Sequence, residues 1–371
     1  MSKKKQYTGE IEESKAKNSA LIVNEGILQP PQVNPNIDKI RKQKRLLSLD
    51  DYVKGILEGN INILSQAITL IESTLEQHNE LSQQIIEKCL KYAGNSVRIG
   101  ITGVPGVGKS TFIEELGNEI VASGNKLAVL AIDPSSERSG GSILGDKTRM
   151  ETLSIHPNAF IRPSPSAGSL GGVARKTRET TILCEAAGFN IIFIETVGVG
   201  QSETSVHSMV DVFLLLMLAG AGDELQGIKR GIMEMADIIA ITKADGNNIT
   251  KANLAKAQYQ NALHLFPPTD SHWEPKVITC SALKKTGIDE LWQLIKDYVQ
   301  LTKNNNFFEI NRNNQSLYWM FETINESIKS NFYNNTDIKN SLEKVKADVL
   351  NDKISSFNAA TVLLDLYFKK L

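Results

Sequence analysis

The chain has 371 residues, 41 % hydrophobic and 22 % charged, with a formal net charge of −1: enough apolar material for one full α/β core with helical additions, and no basic field for nucleic acid. Cys89, Cys184 and Cys280 form no C-x-x-C pair and the five histidines are scattered, so neither a disulfide framework nor a zinc site is expected. No apolar stretch reaches the ~20 residues of a membrane span and residues 1–35 carry no signal-peptide hydrophobic region, which leads to the expectation of a cytoplasmic protein with no membrane or nucleic-acid partner.

Residues 1–45 are polar, contain Pro30, Pro31 and Pro35, and show no sustained period. They read as a flexible N-terminal extension, too acidic at Glu10, Glu12, Glu13 and Glu25 for a transit peptide. Over residues 46–95 the pattern changes to three amphipathic stripes: Leu49, Val53, Ile56 and Leu57; Ile61, Leu64, Ile68, Ile71 and Leu75; Leu81, Ile85, Ile86 and Leu90. This spacing predicts a helical cap of three helices, with breaks near Gly59 and His78.

A short apolar strand is predicted over residues 96–102, followed by Gly103-Val104-Pro105-Gly106-Val107-Gly108-Lys109-Ser110, which fits G-x-x-x-x-G-K-[ST]. A helix follows, marked by Phe112, Ile113, Leu116, Ile120 and Val121. Strand, glycine loop and helix in that order form a phosphate-binding loop. The glycines let successive N–H groups converge on a di- or triphosphate, Lys109 supplies a mobile positive charge, and the Ser110 hydroxyl can ligate Mg²⁺. Further apolar runs over 127–132, 190–196, 211–218, 237–242 and 276–280 alternate with helical segments. The expected architecture for residues 96–303 is therefore an α/β P-loop NTPase, its mostly parallel sheet flanked by helices and its ligand at the carboxyl ends of the strands. Residues 304–371 become Asn-rich and then helical, with one stripe at Leu317, Phe321, Ile324 and Ile328 and another at Ala359, Val362, Leu363, Leu366 and Tyr367. From pattern alone this C-terminal helical arm folds onto its own subunit or makes a dimer.

Two further strand ends carry chemistry. Thr242-Lys243-Ala244-Asp245 looks like the guanine-reading N-K-x-D element with Thr in place of Asn. The Asp245 carboxylate accepts from the N1–H and exocyclic amine of guanine, whereas adenine offers an acceptor at N1. One strand later, Ser281-Ala282-Leu283 sits where guanine-binding proteins place a backbone N–H against the guanine O6. For Mg²⁺, Asp133, Asp146 and Glu195 are the acidic positions that can join Ser110. Glu195-Thr196-Val197-Gly198 resembles the D-x-x-G switch, in which the Gly198 N–H senses the γ-phosphate, with Glu replacing Asp. Val199 stands where Ras-like enzymes place a water-orienting glutamine, so slow intrinsic turnover is expected unless a partner helps. Lys147, Arg149 and Lys229 are candidates to stabilise transition-state charge.

Longer strings carry a family resemblance: Gly103 through Thr111, Ala131 through Ser136, Ser142 through Met150, Glu195 through Glu203, and Ala219-Gly220-Ala221-Gly222-Asp223-Glu224-Leu225-Gln226-Gly227-Ile228-Lys229. From about Leu47 to Asp297 the chain resembles the MeaB/ArgK group of SIMIBI-class P-loop GTPases. The resemblance implies a GTP-hydrolysing chaperone that docks on an adenosylcobalamin-dependent methylmalonyl-CoA or related acyl-CoA mutase, gates cofactor loading, and protects or reactivates that enzyme. It implies GTP/GDP and Mg²⁺ as cofactors, a homodimer built through the C-terminal arm, and a partner-coupling switch at Asp223, Gln226 and Lys229. The catalytic set is then Lys109, Asp133, Asp146, Glu195 and Lys229. The GTP-binding set is Gly103, Gly106, Val107, Gly108, Lys109, Ser110, Thr111, Gly198, Lys243, Asp245, Ser281, Ala282 and Leu283. The alternatives are a transport-associated protein kinase, a nickel-inserting GTPase, and a GTP-binding scaffold without turnover; no Cys/His pair in metal-binding spacing lies near the phosphate loop to support the second.

Overall fold

In a computed structural model the described residues are 46–132, 150–164, 170–196, 202–220 and 230–368. Among them, seven parallel strands form one sheet in the order β3-β2-β4-β1-β5-β6-β7. The strands are β1 Val97–Gly103, β2 Leu127–Ile132, β3 Ala159–Ser164, β4 Ile191–Thr196, β5 Val212–Leu218, β6 Ile238–Thr242 and β7 Lys276–Thr279. β4, β5 and β6 are apolar nearly throughout because both faces of each are covered, which removes the alternation of a half-exposed strand. Ile99, Ile101, Phe193, Leu214, Leu216 and Ala240 are buried in one continuous core with Phe112, Ile113 and Leu116 of the helix that follows the phosphate loop.

Strand order places the ligand edge. The chain leaves β1 toward β2 on one side, returns through β4 beside β1, and then continues to β5 on the other side. Such a reversal opens a crevice at the carboxyl ends of the strands where it occurs, and the glycine loop follows β1 directly. α4 (Lys109–Ala122) begins with Gly108 as its left-handed N-cap, φ 92°, a conformation that needs no Cβ.

Three helices precede the sheet: α1 (Leu49–Leu57), α2 (Ile61–Glu72) and α3 (Glu76–Leu90). Ser48 and Asn60 cap the first two by accepting from backbone N–H groups of the first turn. The second break lies at residues 73–75, not at His78, which falls inside α3. Ser73 is extended and its Oγ meets both the Leu75 N–H at 3.2 Å and His78 Nδ1 at 2.8 Å, so the serine ends α2 while the histidine joins the turn. This cap packs on α5 (Leu170–Ala186), away from the glycine loop, and Glu72 pairs with Arg162 of β3 at 2.5 Å.

After β7, α9 (Ile288–Asn304) packs on the core and α10 (Phe307–Asn334) runs on from it, followed by α11 (Thr336–Leu350) and α12 (Ser356–Phe368). The intervening short helices are α6 (Ser202–His207) and α7 (Arg230–Glu234), with α8 (Ile249–Leu263) between β6 and β7. The first half of α10 is pinned to the segment that joins α6 to β5: Gln315 Nε2 donates to Val210 O at 2.7 Å and Trp319 Nε1 to Ser208 O at 3.0 Å. Its apolar stripe at Leu317, Phe321, Ile324 and Ile328 is between 46 % and 59 % exposed, so the described residues do not cover it. Among the described residues, no helix is long and apolar enough to cross a membrane.

Candidate functional site

The glycine loop turns at the end of β1 with Gly106 at φ 77° and Gly108 at φ 92°. A Cβ on Gly103 would stand 2.5 Å from the Leu216 carbonyl of neighbouring β5, so only glycine lets the two strands stay paired there. Lys109 folds back over the loop and its Nζ donates to Gly103 O at 2.9 Å. Burial lowers the Lys109 pKa, and the Glu195 and Glu203 carboxylates act in the opposite direction. This ammonium is thus held close to two acids on different elements, in the hollow that the loop encircles.

Glu195 is buried near the end of β4 and lies in register with Ile101 of β1. Beside it, Thr196 Oγ1 donates to Thr102 Oγ1 at 2.8 Å, fastening the two strand ends. Ser110 is half-buried in the first turn of α4. Ser110 and Glu195 are hard oxygen donors at the same sheet edge, the chemistry that Mg²⁺ selects. Asp133, Asp146, Gly198, Asp223, Gln226 and Lys229 lie outside the described residues, as do Lys147, Arg149 and Val199.

On the other side of the loop, β6 ends at Thr242 and β7 leads to Ser281. Between them lies a cavity of about 230 Å³ walled by Gly108, Thr111, Phe112, Lys243, Asp245 and the Ser281 to Leu283 turn. Ser281 Oγ donates to Asp245 Oδ2, orienting one carboxylate oxygen. The Ser281 N–H is committed to Thr286 O at 2.9 Å, and Thr286 N–H returns to Ser281 O at 3.1 Å. Gly287, at φ 73°, lets α9 start immediately after this turn, since a Cβ there would collide with the Thr279 carbonyl.

Two links join this cavity to the glycine loop. Thr242 Oγ1 donates to Val107 O at 2.9 Å, and Lys243 Nζ donates to Gly106 O at 2.8 Å while its chain lies alongside Gly108. Lys243 adopts φ 55°, which Asn248 supports by donating to its carbonyl at 2.8 Å. Sequence reasoning treated Thr242 only as a departure from Asn; its hydroxyl in fact ties two loops 135 residues apart. Glu203, Thr102 and Thr196 also escaped it. Glu203 sits eight positions beyond Glu195, and nothing in its local pattern says that α6 carries it back toward Lys109.

The model of the methylmalonyl-CoA mutase-associated GTPase family MeaB matches residues 64–337. The chain belongs to the MeaB family of GTPases. The GTPase ArgK of Escherichia coli is 45 % identical over 309 residues, covering 83 % of this chain and 93 % of that protein. The mouse mitochondrial methylmalonic aciduria type A homolog is 43 % identical over 336 residues, covering 88 % and 80 % respectively. A crystal structure described as a LAO/AO transport system kinase superposes with a TM-score of 0.70 at 37 % identity, over 87 % of this chain and 99 % of that one. As a MeaB-family GTPase the chain binds guanine nucleotide and hydrolyses GTP.

Proposed function

We propose that this GTPase is a nucleotide-driven chaperone of an adenosylcobalamin-dependent acyl-CoA mutase, methylmalonyl-CoA mutase being the first client to test. The observation that carries the reading is the pair of bonds from Thr242 and Lys243 to the glycine loop, which couples the base cavity to the phosphate hollow within a chain of this family. A switch needs this property: occupancy of one part of the site must be felt in the other.

In this reading the Asp245 carboxylate takes the guanine N1–H and amine, with Ser281 holding it in place. Since the Ser281 N–H is already committed, the N–H of Ala282 or Leu283 meets O6. Gly103, Gly106, Val107, Gly108, Ser110 and Thr111 wrap the phosphates with their backbone. Lys109 exchanges the Gly103 carbonyl for phosphate oxygens, a stronger, charge-assisted partner. Ser110 and Glu195, together with Asp133 and Asp146, would hold Mg²⁺, and the ion would supply positive charge against the charge that develops on the phosphates. Gly198 senses the γ-phosphate, Lys229 adds positive charge, and Asp223 and Gln226 with Lys229 pass the nucleotide state to the mutase. The uncovered stripe on α10 is the face through which two copies pair, since apolar side chains along one line of a helix call for a matching surface.

The test is steady-state hydrolysis of GTP and ATP with Mg²⁺, with and without a cobalamin-dependent methylmalonyl-CoA mutase. Slow GTP-selective turnover that rises when the mutase is added is the expected result. Turnover indifferent to the mutase, with no complex on gel filtration in any nucleotide state, overturns the chaperone reading and leaves the GTPase intact.

A further inference from the structure

At the opposite end of β1 from the glycine loop, α3, α5 and α10 enclose a cavity of about 240 Å³. The seven residues of β1, at about 3.3 Å each, put it on the order of 20 Å from the phosphate hollow. Three arginines line it, Arg98, Arg178 and Arg312, together with Glu185 and Glu309. Two of the three are held in forked ion pairs. Arg98 forks onto Glu185 at 2.9 and 3.1 Å, and the same carboxylate also accepts from Gly94 N at 2.7 Å and Ser96 Oγ at 2.5 Å. Arg312 pairs with buried Asp211 at 2.8 and 2.7 Å and donates to the carbonyls of Gly94 and Ser96.

Arg178 is the surplus cation. Its Nη2 donates to Ser316 Oγ at 3.0 Å, its Nη1 is buried with no hydrogen-bond partner, and it makes no ion pair among the described residues. Burial first, then repulsion from Arg98 and Arg312, pushes its guanidinium down to about 10 despite nearby Glu185. The other carboxylate lining the cavity, Glu309, is exposed on α10 and does not pair with it. A half-buried guanidinium among two other guanidiniums, with one donor unmet, calls for a negative group that none of the described residues provides.

We propose that this cavity is a second anion site, separate from the nucleotide site, that takes a small free oxyanion of the phosphate or carboxylate class with Arg178 as its principal ligand. The planar fork of arginine matches the oxygens of either class, and Ser316 and Asn313 add neutral polar contacts at the rim. Because Arg178 stands on α5 while Arg312, Asn313 and Ser316 stand on α10, an anion held there braces the root of the C-terminal arm against the sheet.

The experiment uses the full chain with the phosphate loop filled by a non-hydrolysable GTP analogue and Mg²⁺, so that added anion finds that hollow taken. Inorganic phosphate and malonate are titrated separately by calorimetry at constant ionic strength. One saturable site per chain is expected, weakened at least about 10-fold in Arg178→Gln, in line with the loss of one charge-assisted contact. Tighter phosphate binding identifies the phosphate class, tighter malonate binding the carboxylate class. Asn313→Glu, at an exposed position, tethers a carboxylate beside the cavity and should abolish the anion response while raising the melting temperature in anion-free buffer. The proposal is overturned if neither anion saturates the wild-type chain, or if Arg178→Gln binds as tightly as wild type. Should Arg178→Gln fail to fold, undiminished anion binding by Asn313→Glu overturns it equally.

Discussion

The two ends of the sheet are built on different plans. At the carboxyl end, Lys109 and Lys243 rest on glycine-loop carbonyls, single bonds from cations to neutral acceptors that a phosphate would replace. At the amino end, Arg98 with Glu185 and Arg312 with Asp211 form buried, forked ion pairs whose carboxylate oxygens also accept bonds from the backbone and, for Glu185, from Ser96. Charge at the first end is held in reserve for a ligand; at the second, Arg178 apart, charge is locked to define where α5 and α10 sit. The lesson is that a count of charged contacts says little about function until one asks whether the partner of each charge is exchangeable.

Breaking each plan should therefore fail differently. Lys109→Ala is expected to reduce GTP hydrolysis by about 10²–10³-fold, the usual loss when one preorganised donor to a developing anion is removed, with the melting temperature of the nucleotide-free protein little changed. Loss of fold without loss of rate per folded molecule would show that the lysine belongs to the structural plan instead. Arg312→Ala leaves Asp211 buried without its partner and should destabilise the chain by about 3–5 kcal/mol, measured by denaturant unfolding. A cost below about 1 kcal/mol would mean that the amino-end pairs are no better than surface ones.

Smaller effects sharpen the contrast. Asp245→Ala should lower GDP affinity by about two orders of magnitude and erase preference over ADP, since two bonds to a charged acceptor are lost at once; competitive binding of the two nucleotides reads the outcome directly. Retained guanine preference would remove Asp245 from base reading. The smallest expected effect concerns pH. Asp237, at the foot of β6, accepts from the Phe213 N–H at 2.8 Å, and burial raises its carboxyl from the ordinary carboxylate range to about 7, partly countered by that bond and by the Tyr298 hydroxyl. It borders a cavity of about 340 Å³ that His207, Asp211, Glu234 and Asp270 also line, with burial holding His207 below its usual value. The folded chain holds a proton on Asp237 that the unfolded chain releases near pH 4, so this group's contribution is present in acid and fades as pH climbs through about 7. Between pH 5 and pH 8 the wild-type chain should thus lose stability relative to Asp237→Asn, and parallel pH profiles of the two would refute the assignment.

Much of the molecule was legible before any coordinates. The glycine loop, the Thr242 to Asp245 turn and six strands announce themselves because each depends on residue types close together in the chain. β3 escaped notice because Arg162 and Pro163 interrupt its apolar run; it is an edge strand paired only with β2, and an edge tolerates both a charge and a missing N–H. The break between α2 and α3 was misplaced by periodicity, which reports which face of a helix is buried and not where a serine hydroxyl intercepts the backbone. The arm posed a similar problem. Its stripes said that something must cover them, and only the packed structure shows Gln315 and Trp319 bonded to the segment before β5 while Leu317, Phe321, Ile324 and Ile328 are left uncovered by the described residues.

By itself, then, the sequence determined the fold class and the nucleotide chemistry, because glycine conformations, helical spacing and buried-strand composition are local consequences of covalent structure. Only the tertiary structure decided that Thr242 holds the glycine loop, that Lys109 lies near both Glu195 and Glu203, and that Arg178 is left with a donor unmet between α5 and α10. Those facts rest on charges and hydroxyls brought together from distant parts of the chain, and the energy of such a meeting is set by burial and geometry that no local pattern encodes.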